Sequence, residues 1–227
     1  MNAASLPDVE RARFNMVEQQ IRPAGVLDPA VLESLFAVRR ELFVAPTLRA
    51  LAFTDTEIPL RVDGADTGEV MLSPKLEAQL VQALKLSHTE SVLEIGTGSG
   101  HQAALLARQA YQVTSVEINP KLAAFAADNL ARAGVANVHV ETGDGHNGWG
   151  STEYDAILAT GSVPQQVPDG LKYQLRIHGR LLIAVGQAPV MSVYRITRTS
   201  AAEFTTETLF ETVMPPLRGV SASHFRF

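Results

Sequence analysis

Val92-Leu93-Glu94-Ile95-Gly96-Thr97-Gly98-Ser99-Gly100-His101-Gln102 reads as a buried strand that breaks into a glycine turn and opens a helix. Gly96, Gly98 and Gly100 allow backbone torsions and a closeness of approach that a Cβ obstructs, and the helix start presents unpaired N–H groups. A ligand at this turn is therefore expected to touch backbone, with Thr97, His101 and Gln102 around it. A dinucleotide fingerprint runs G-x-G-x-x-G/A with pyrophosphate on the helix start. Here His101 stands where the third small residue belongs, and the spacing is E-x-G-x-G-x-G. Glu94 repels a pyrophosphate and suits a ligand that carries an ammonium group. S-adenosyl-L-methionine carries one on its methionine part.

Two further acids extend the pattern. Gln112 to Glu117 reads as the next strand, and Glu117 follows Gly96 by 21 positions, close to the spacing of about 20 at which a doubly wound fold places a ribose-binding carboxylate. Glu117, with Ile118 beside it, is the candidate for the ribose hydroxyls. Val138 to Gly145 gives a third strand, and Asp144 with Gly145 is the candidate acceptor for the adenine amino group. The ordinary alternatives are surface charges at strand ends for Glu94 and Glu117, and a Gly-Asp-Gly turn for Asp144. Thr160, Gly161 and Ser162 follow the fourth strand and face the same region, as site residues or as loop. Trp149 is read either as a stack on adenine or as the edge of a core. His101 is read as packing beside the cofactor or as a base toward a hydroxyl acceptor.

On these residues the chain resembles the class I S-adenosylmethionine-dependent methyltransferases, and among them the protein-L-isoaspartate O-methyltransferase family. The likeness runs through Leu93 to Gly100 with Gln102-Ala103-Ala104, Ser115-Val116-Glu117, Gly143-Asp144-Gly145, Tyr154 to Ile157 and Gly179 to Gly186, and it ends on Val213 and Pro216-Leu217. Met16-Val17, Gly25 to Asp28, Val31-Leu32, Arg39 to Val44 and Ala52 to Pro59 are similar as well. The resemblance implies methylation of L-isoaspartyl carboxylates in damaged proteins. It also implies a doubly wound, mostly parallel seven-stranded α/β sheet, Rossmann-like, in the strand order 3-2-1-4-5-7-6. The chain departs from the family at one place. The family's threonine-isoleucine-serine-glutamine-proline stretch, whose serine is associated with the substrate carboxylate, is Val70-Met71-Leu72-Ser73-Pro74 here. Leu72 takes the serine position, and Ser73, one step later, is the candidate for orienting the acceptor or a simple cap on the helix that follows.

Composition agrees with an enzyme of this kind. The 227 residues, 46% hydrophobic and 19% charged, suffice for one large α/β core. A net charge of -5 argues against a phosphate-dominated nucleic-acid groove. The chain has no cysteine, so disulfides, thiolate metal sites and cysteine nucleophiles are excluded. His139, His146, His178 and His224 lie on separate segments with no i, i+4 pair, and no metal is expected. The N-terminus, with Asp8, Glu10, Arg11 and Arg13, lacks the apolar core of a signal peptide, and no apolar run reaches membrane-spanning length. A cytoplasmic location is the expectation.

Along the chain, Phe14, Val17 and Ile21 lie at helical spacing up to Pro23 and Gly25, and Asp28-Pro29 starts a second helix with the acid as N-cap. Residues 53–68, with Pro59, Gly64 and Gly68, show no clear period and read as an irregular segment crossing toward the site, a substrate lid. Residues 1–73 are thus expected to form a helical cap and substrate-side segment, and 74–227 the cofactor domain, packed as one unit. Asn119-Pro120 opens a helix that Gly134 stops. Val190 to Thr197 and Phe204 to Val213 are strand-like with no helix between them, an antiparallel pair closing the sheet. Three functional readings are open: isoaspartyl carboxyl methylation, the same chemistry on another acceptor, and a non-catalytic S-adenosylmethionine-binding module. A nicotinamide-dinucleotide oxidoreductase is a more distant fourth.

Overall fold

The computed structural model describes residues 8–219; His224 lies outside them. At the N-terminus, helix α1 (Asp8–Met16) runs into a π-helical turn over Val17–Ile21 and a 3-10 turn over Arg22–Ala24. It stops at Gly25, whose φ of 89° is the left-handed conformation that glycine adopts without strain. In α2 (Pro29–Ala37) the Asp28 carboxylate accepts the Ala30 N–H, and Pro29 occupies the first turn, where no amide donor is needed.

Residues 53–68 depart from expectation. They contain β1 (Ile58–Val62), which pairs antiparallel with β2 (Ala65–Met71) across Asp63-Gly64. Both turn residues have positive φ, 52° and 80°, the geometry that matches strand twist in a two-residue hairpin. The dipeptide was the available signal, and the lack of a long period concealed it.

From α3 (Pro74–Leu84) onward the chain alternates: β3 (Ser91–Ile95), α4 (His101–Ala107), β4 (Gln112–Glu117), α5 (Pro120–Arg132), β5 (Val138–Thr142), β6 (Tyr154–Val163), α6 (Asp169–Tyr173), β7 (Leu175–Gln187), β8 (Val190–Arg198) and β9 (Phe204–Thr212). The seven-stranded sheet has the order β5-β4-β3-β6-β7-β8-β9. Its first five strands are parallel, and β8 and β9 are antiparallel additions. Counted within the sheet this is 3-2-1-4-5-6-7, which corrects the expected 3-2-1-4-5-7-6. The reason is local. Only Ala188 and Pro189 separate β7 from β8, so β8 folds back beside β7 as a hairpin and β9 has only the outer edge to occupy.

Side chains alternate across the sheet with period two. Val92, Ala156, Leu158 and Leu182 belong to one core layer, and Leu93, Ile157, Ile183 and Leu181 to the other. The first layer also takes in Met16, Ile21, Val31, Phe43, Ile58 and Met71 from the N-terminal segment, so that segment buries its apolar surface in the same cluster as α3 and α4. Among the described residues no helix is long and apolar enough to cross a membrane.

Candidate functional site

The chain reverses direction across the sheet at β3: β4 and β5 extend one way from it, β6 and β7 the other. The C-terminal ends of β3 and β6 thus form a topological switch point, where open α/β sheets bind ligands. A cavity of about 90 Å³ lies there. Its floor is made by Ile95, Gly96 and Gly98 after β3, Val116, Glu117 and Ile118 at the end of β4, Gly143 to His146 after β5, and Thr160 and Gly161 of β6.

Two elements close it from above. Glu69 and Val70 come from the β1–β2 hairpin, and Pro215 to Arg218 come from a strap that follows β9. The strap is fixed by backbone bonds on both sides of Ser162: the Ser162 N–H donates to the Pro215 carbonyl at 2.8 Å, and the Leu217 N–H donates to the Ser162 carbonyl at 2.9 Å. The Arg218 guanidinium pairs with the Glu69 carboxylate and also donates to the Thr67 carbonyl at 3.1 Å. Hairpin and strap therefore meet across the cleft.

Glu117 is held by backbone. One carboxylate oxygen accepts the Gly98 N–H at 2.9 Å and the other accepts the Asn119 N–H at 3.0 Å. Each oxygen keeps acceptor capacity toward the cleft, as a diol requires. The Gly143 N–H donates to the Glu117 carbonyl, which brings Asp144 alongside, and Asp144 accepts the His146 N–H at 3.0 Å. Gly96 has a φ of 94°, and a Cβ there would collide with the Thr160 hydroxyl, which is engaged with the Ile95 and Gly96 carbonyls.

Of the residues singled out from sequence, Gly96, Gly98, Glu117, Ile118, Asp144 and Gly145 line this cleft. Glu94, Thr97, Gly100, His101 and Gln102 do not, and Ser73 does not. Glu94 is fully buried beneath the glycine turn, accepting the Ser115 hydroxyl, which in turn contacts Thr97 Oγ1 at 2.6 Å. Burial, together with the nearby Glu77 and Glu117 carboxylates and against the Ser115 hydrogen bond, pushes the Glu94 carboxyl up to about 8. It does not line the cleft, and its second carboxylate oxygen is buried without a hydrogen-bond partner among the described residues. Gly100 sits against the Ala126 carbonyl and Leu130, holding α4 to α5. His101 and Gln102 are buried behind the turn.

His101 belongs to a buried charge cluster. Glu77 of α3 accepts from Arg40 and from His101 Nδ1, the latter at 2.8 Å, while Arg40 also donates to the Ala52 and Leu72 carbonyls. Burial would raise the Glu77 carboxyl, and the Arg40 and His101 partners overcome this and hold it below the ordinary value. Burial pushes the His101 imidazole below its ordinary value against the pull of Glu77. With Nδ1 2.8 Å from Glu77 and 3.2 Å from Arg40 Nη1, and its ring edge on Phe43, His101 packs behind the turn and does not line the cleft.

Ser73 is the N-cap of α3: its hydroxyl accepts the Leu76 N–H at 3.4 Å. Leu72 is 5% exposed and sits in the core. Ser73→Ala is accordingly expected to lower stability by about 1 kcal/mol, read as a urea midpoint, and to leave the acceptor KM as it is. A raised KM at retained stability would return the hydroxyl to the acceptor. Trp149 lies over Gly143 and packs on the second core layer, with its backbone N–H donating to Gln174. It is a core edge. The sequence reading missed Glu69, Val70, His146, Pro215 and Arg218. Only the Asp63-Gly64 turn signalled the hairpin that carries the first two.

Comparison with known proteins agrees with this architecture. The family model described as Protein-L-isoaspartate(D-aspartate) O-methyltransferase (PCMT) matches residues 11–221. A Rhodopseudomonas palustris relative named protein-L-isoaspartate O-methyltransferase 1 is 41% identical over 209 residues, covering 91% of this chain and 83% of its own. A solved protein-L-isoaspartate O-methyltransferase superposes with a TM-score of 0.77 at 24% identity, over 93% of this chain and 66% of that longer one. A Plasmodium falciparum structure holding S-adenosyl-L-homocysteine superposes with a TM-score of 0.75 at 17% identity, over 94% and 99%. The two structures share the fold; the sequence matches, which span the glycine turn, the strand-end acids and the strap alike, establish that this chain belongs to the protein-L-isoaspartate(D-aspartate) O-methyltransferase family.

Proposed function

We propose that the chain transfers the methyl group of S-adenosyl-L-methionine to the carboxylate of L-isoaspartyl residues in damaged cytoplasmic proteins, opening their return toward normal aspartate. The observation that carries this reading is the acid-walled cleft at the switch point, in a chain of this family. Glu69, Glu117 and Asp144 line the cleft together with one guanidinium, that of Arg218, which pairs with Glu69. Such a wall repels a pyrophosphate and suits a sulfonium cofactor without phosphate, so the donor set fits this cofactor and disfavours a dinucleotide. In this reading Glu117 holds the ribose hydroxyls, Asp144 accepts from the adenine amine, Ile118 covers the adenine, and Gly96 and Gly98 let the ligand approach the backbone.

The bound cofactor supplies a sulfonium methyl, and transfer forms a methyl–oxygen bond on the carboxylate while the sulfur–methyl pair returns to sulfur as a thioether. A carboxylate with an ordinary pKa is ionised at neutral pH, so no proton has to be removed. The buried, paired His101 agrees with that: chemistry without a base leaves the protein to align the reactants and keep water out. Hairpin and strap are placed for both tasks.

The test is transfer of labelled methyl to an isoaspartyl peptide beside its normal aspartyl twin, with cofactor binding measured in parallel. Selective labelling of the isoaspartyl peptide is expected. Binding without labelling of either peptide would overturn the assignment and favour a different acceptor, a reading to which the buried Leu72 and the capping role of Ser73 lend support. Glu117→Ala should weaken cofactor binding by about 1–3 kcal/mol, read by calorimetric titration of the folded variant. Unchanged affinity would remove Glu117 from the ribose site.

A further inference from the structure

We infer that Arg218 orients the acceptor carboxylate, a task for which the described hydroxyls of Ser73, Thr160 and Ser162 are already engaged elsewhere. The inference rests on the isoaspartyl reading above and names the group that recognises the substrate.

Donors near the cleft can be followed one by one. Leu72 has no hydroxyl, and its carbonyl is taken by Arg40. Ser73 caps α3. The Thr160 hydroxyl donates to the Ile95 and Gly96 carbonyls, and the Ser162 hydroxyl to the Met214 and Pro215 carbonyls. An incoming carboxylate enters a cleft lined by Glu69, Glu117 and Asp144, and a cation offsets their repulsion. Among the described residues Arg218 is the one Arg or Lys side chain that lines the cleft.

Its position fits the task. A second cavity, of about 710 Å³, lies along the other side of the strap between Glu57, Pro164, Met191 and Val213. The two cavities share the wall Pro215 to Arg218, and Arg218 is the one Arg or Lys side chain in the second as well. The larger cavity is mainly apolar, with room for the polypeptide flanking the acceptor residue, and the strap divides it from the cleft. Arg218, in the dividing wall, borders both. Its side chain is 51% exposed, and its partners engage Nε and Nη2. A guanidinium has five N–H donors in a planar fork, so a carboxylate can bind at the remaining edge or displace Glu69. Glu69 then acts as an internal competitor that holds the fork in place until substrate enters.

The experiment uses the full chain and its variants Arg218→Ala, Arg218→Lys and Glu69→Gln, with labelled methyl transfer to an isoaspartyl peptide and cofactor titration for each. Arg218→Ala should raise the peptide KM about tenfold or more, the loss of one charge-assisted hydrogen bond, with cofactor affinity unchanged. Arg218→Lys should fall between it and the wild type. Glu69→Gln removes the competitor and should lower the peptide KM, opposite in direction to Arg218→Ala. Peptide KM unmoved by Arg218→Ala in an active enzyme overturns this inference alone. So does a matching loss of cofactor affinity, which assigns the guanidinium to the cofactor, or a Glu69→Gln effect in the same direction as Arg218→Ala, which reduces the pair to a latch. A wild-type chain that binds cofactor and leaves the isoaspartyl peptide unlabelled overturns the function reading and this inference with it.

Discussion

Glu77→Ala is expected to destabilise the fold by about 3–5 kcal/mol, the cost of leaving a buried charge without its partner. Arg40, Glu77 and His101 are 1%, 2% and 1% exposed, and one carboxylate answers both the guanidinium and the imidazole. Removing it strands Arg40 in the interior, where among the described residues no other carboxylate accepts from it. The loss is a large part of the ~5–15 kcal/mol that holds an ordinary domain together. The cluster also ties five places in the chain to one another: the turn before Phe43, the Ala52 carbonyl, the Leu72 carbonyl, α3, and the helix that follows the glycine turn. A change of urea midpoint equivalent to less than about 1 kcal/mol would mean that water reaches the cluster and that the three groups are not a sealed unit.

Glu94→Gln is expected to change how stability depends on pH. The Glu94 carboxyl is raised in the fold, from 4.5 to about 8. Below pH 4.5 it is protonated folded and unfolded alike, and its contribution to stability is whole. As pH rises toward 8, the unfolded chain releases the proton and the folded chain keeps it, so stability falls by ~1.4 kcal/mol per pH unit. The integrated loss in the wild type approaches about 5 kcal/mol by pH 8. Glutamine has no proton to lose and still offers Ser115 an acceptor. Wild type and variant should therefore diverge from pH 5 upward and run parallel above pH 8, as measured by denaturant midpoints across that range. Two curves that stay parallel throughout would show that Glu94 is solvated and ionised in the fold.

How much of this the sequence announced depends on direction as well as position. The parallel strands were legible because they are short apolar runs punctuated by turn residues; β3 and β4 appear where expected, whereas β6 runs on through Thr160, Gly161 and Ser162, which were expected to follow it. Glu117 and Asp144 were legible as cleft residues because they end their strands or follow them, where side chains face the switch point. Glu94 stands inside β3. Period two sends it to the same side as Val92, into the layer shared with α3 and α4, and that parity was present in the sequence. Thr97, Gly100, His101 and Gln102 adjoin the turn in sequence, yet only Gly96 and Gly98 of it line the cleft. The order of the last two strands was decided by a two-residue connection that outweighed the pattern implied by resemblance. Glu69 and Arg218 had no local signal: 149 positions separate them, and only the completed sheet brings hairpin and strap together.

The strap has a consequence for biosynthesis. It follows β9, so it is translated after every strand of the sheet, and the ribosome delivers residues at only ~5–20 per second, with N-terminal parts folding first. The sheet, the glycine turn and the Glu117 carboxylate can all be in place while one wall of the cleft is still missing. A nascent chain at that stage presents the Ser162 backbone and the acid cluster to solvent. On the proposed reading, enclosure of the cofactor waits until Pro215 to Arg218 dock on Ser162. Premature termination just before the strap would yield a chain with nearly the whole core and an unfinished reaction chamber.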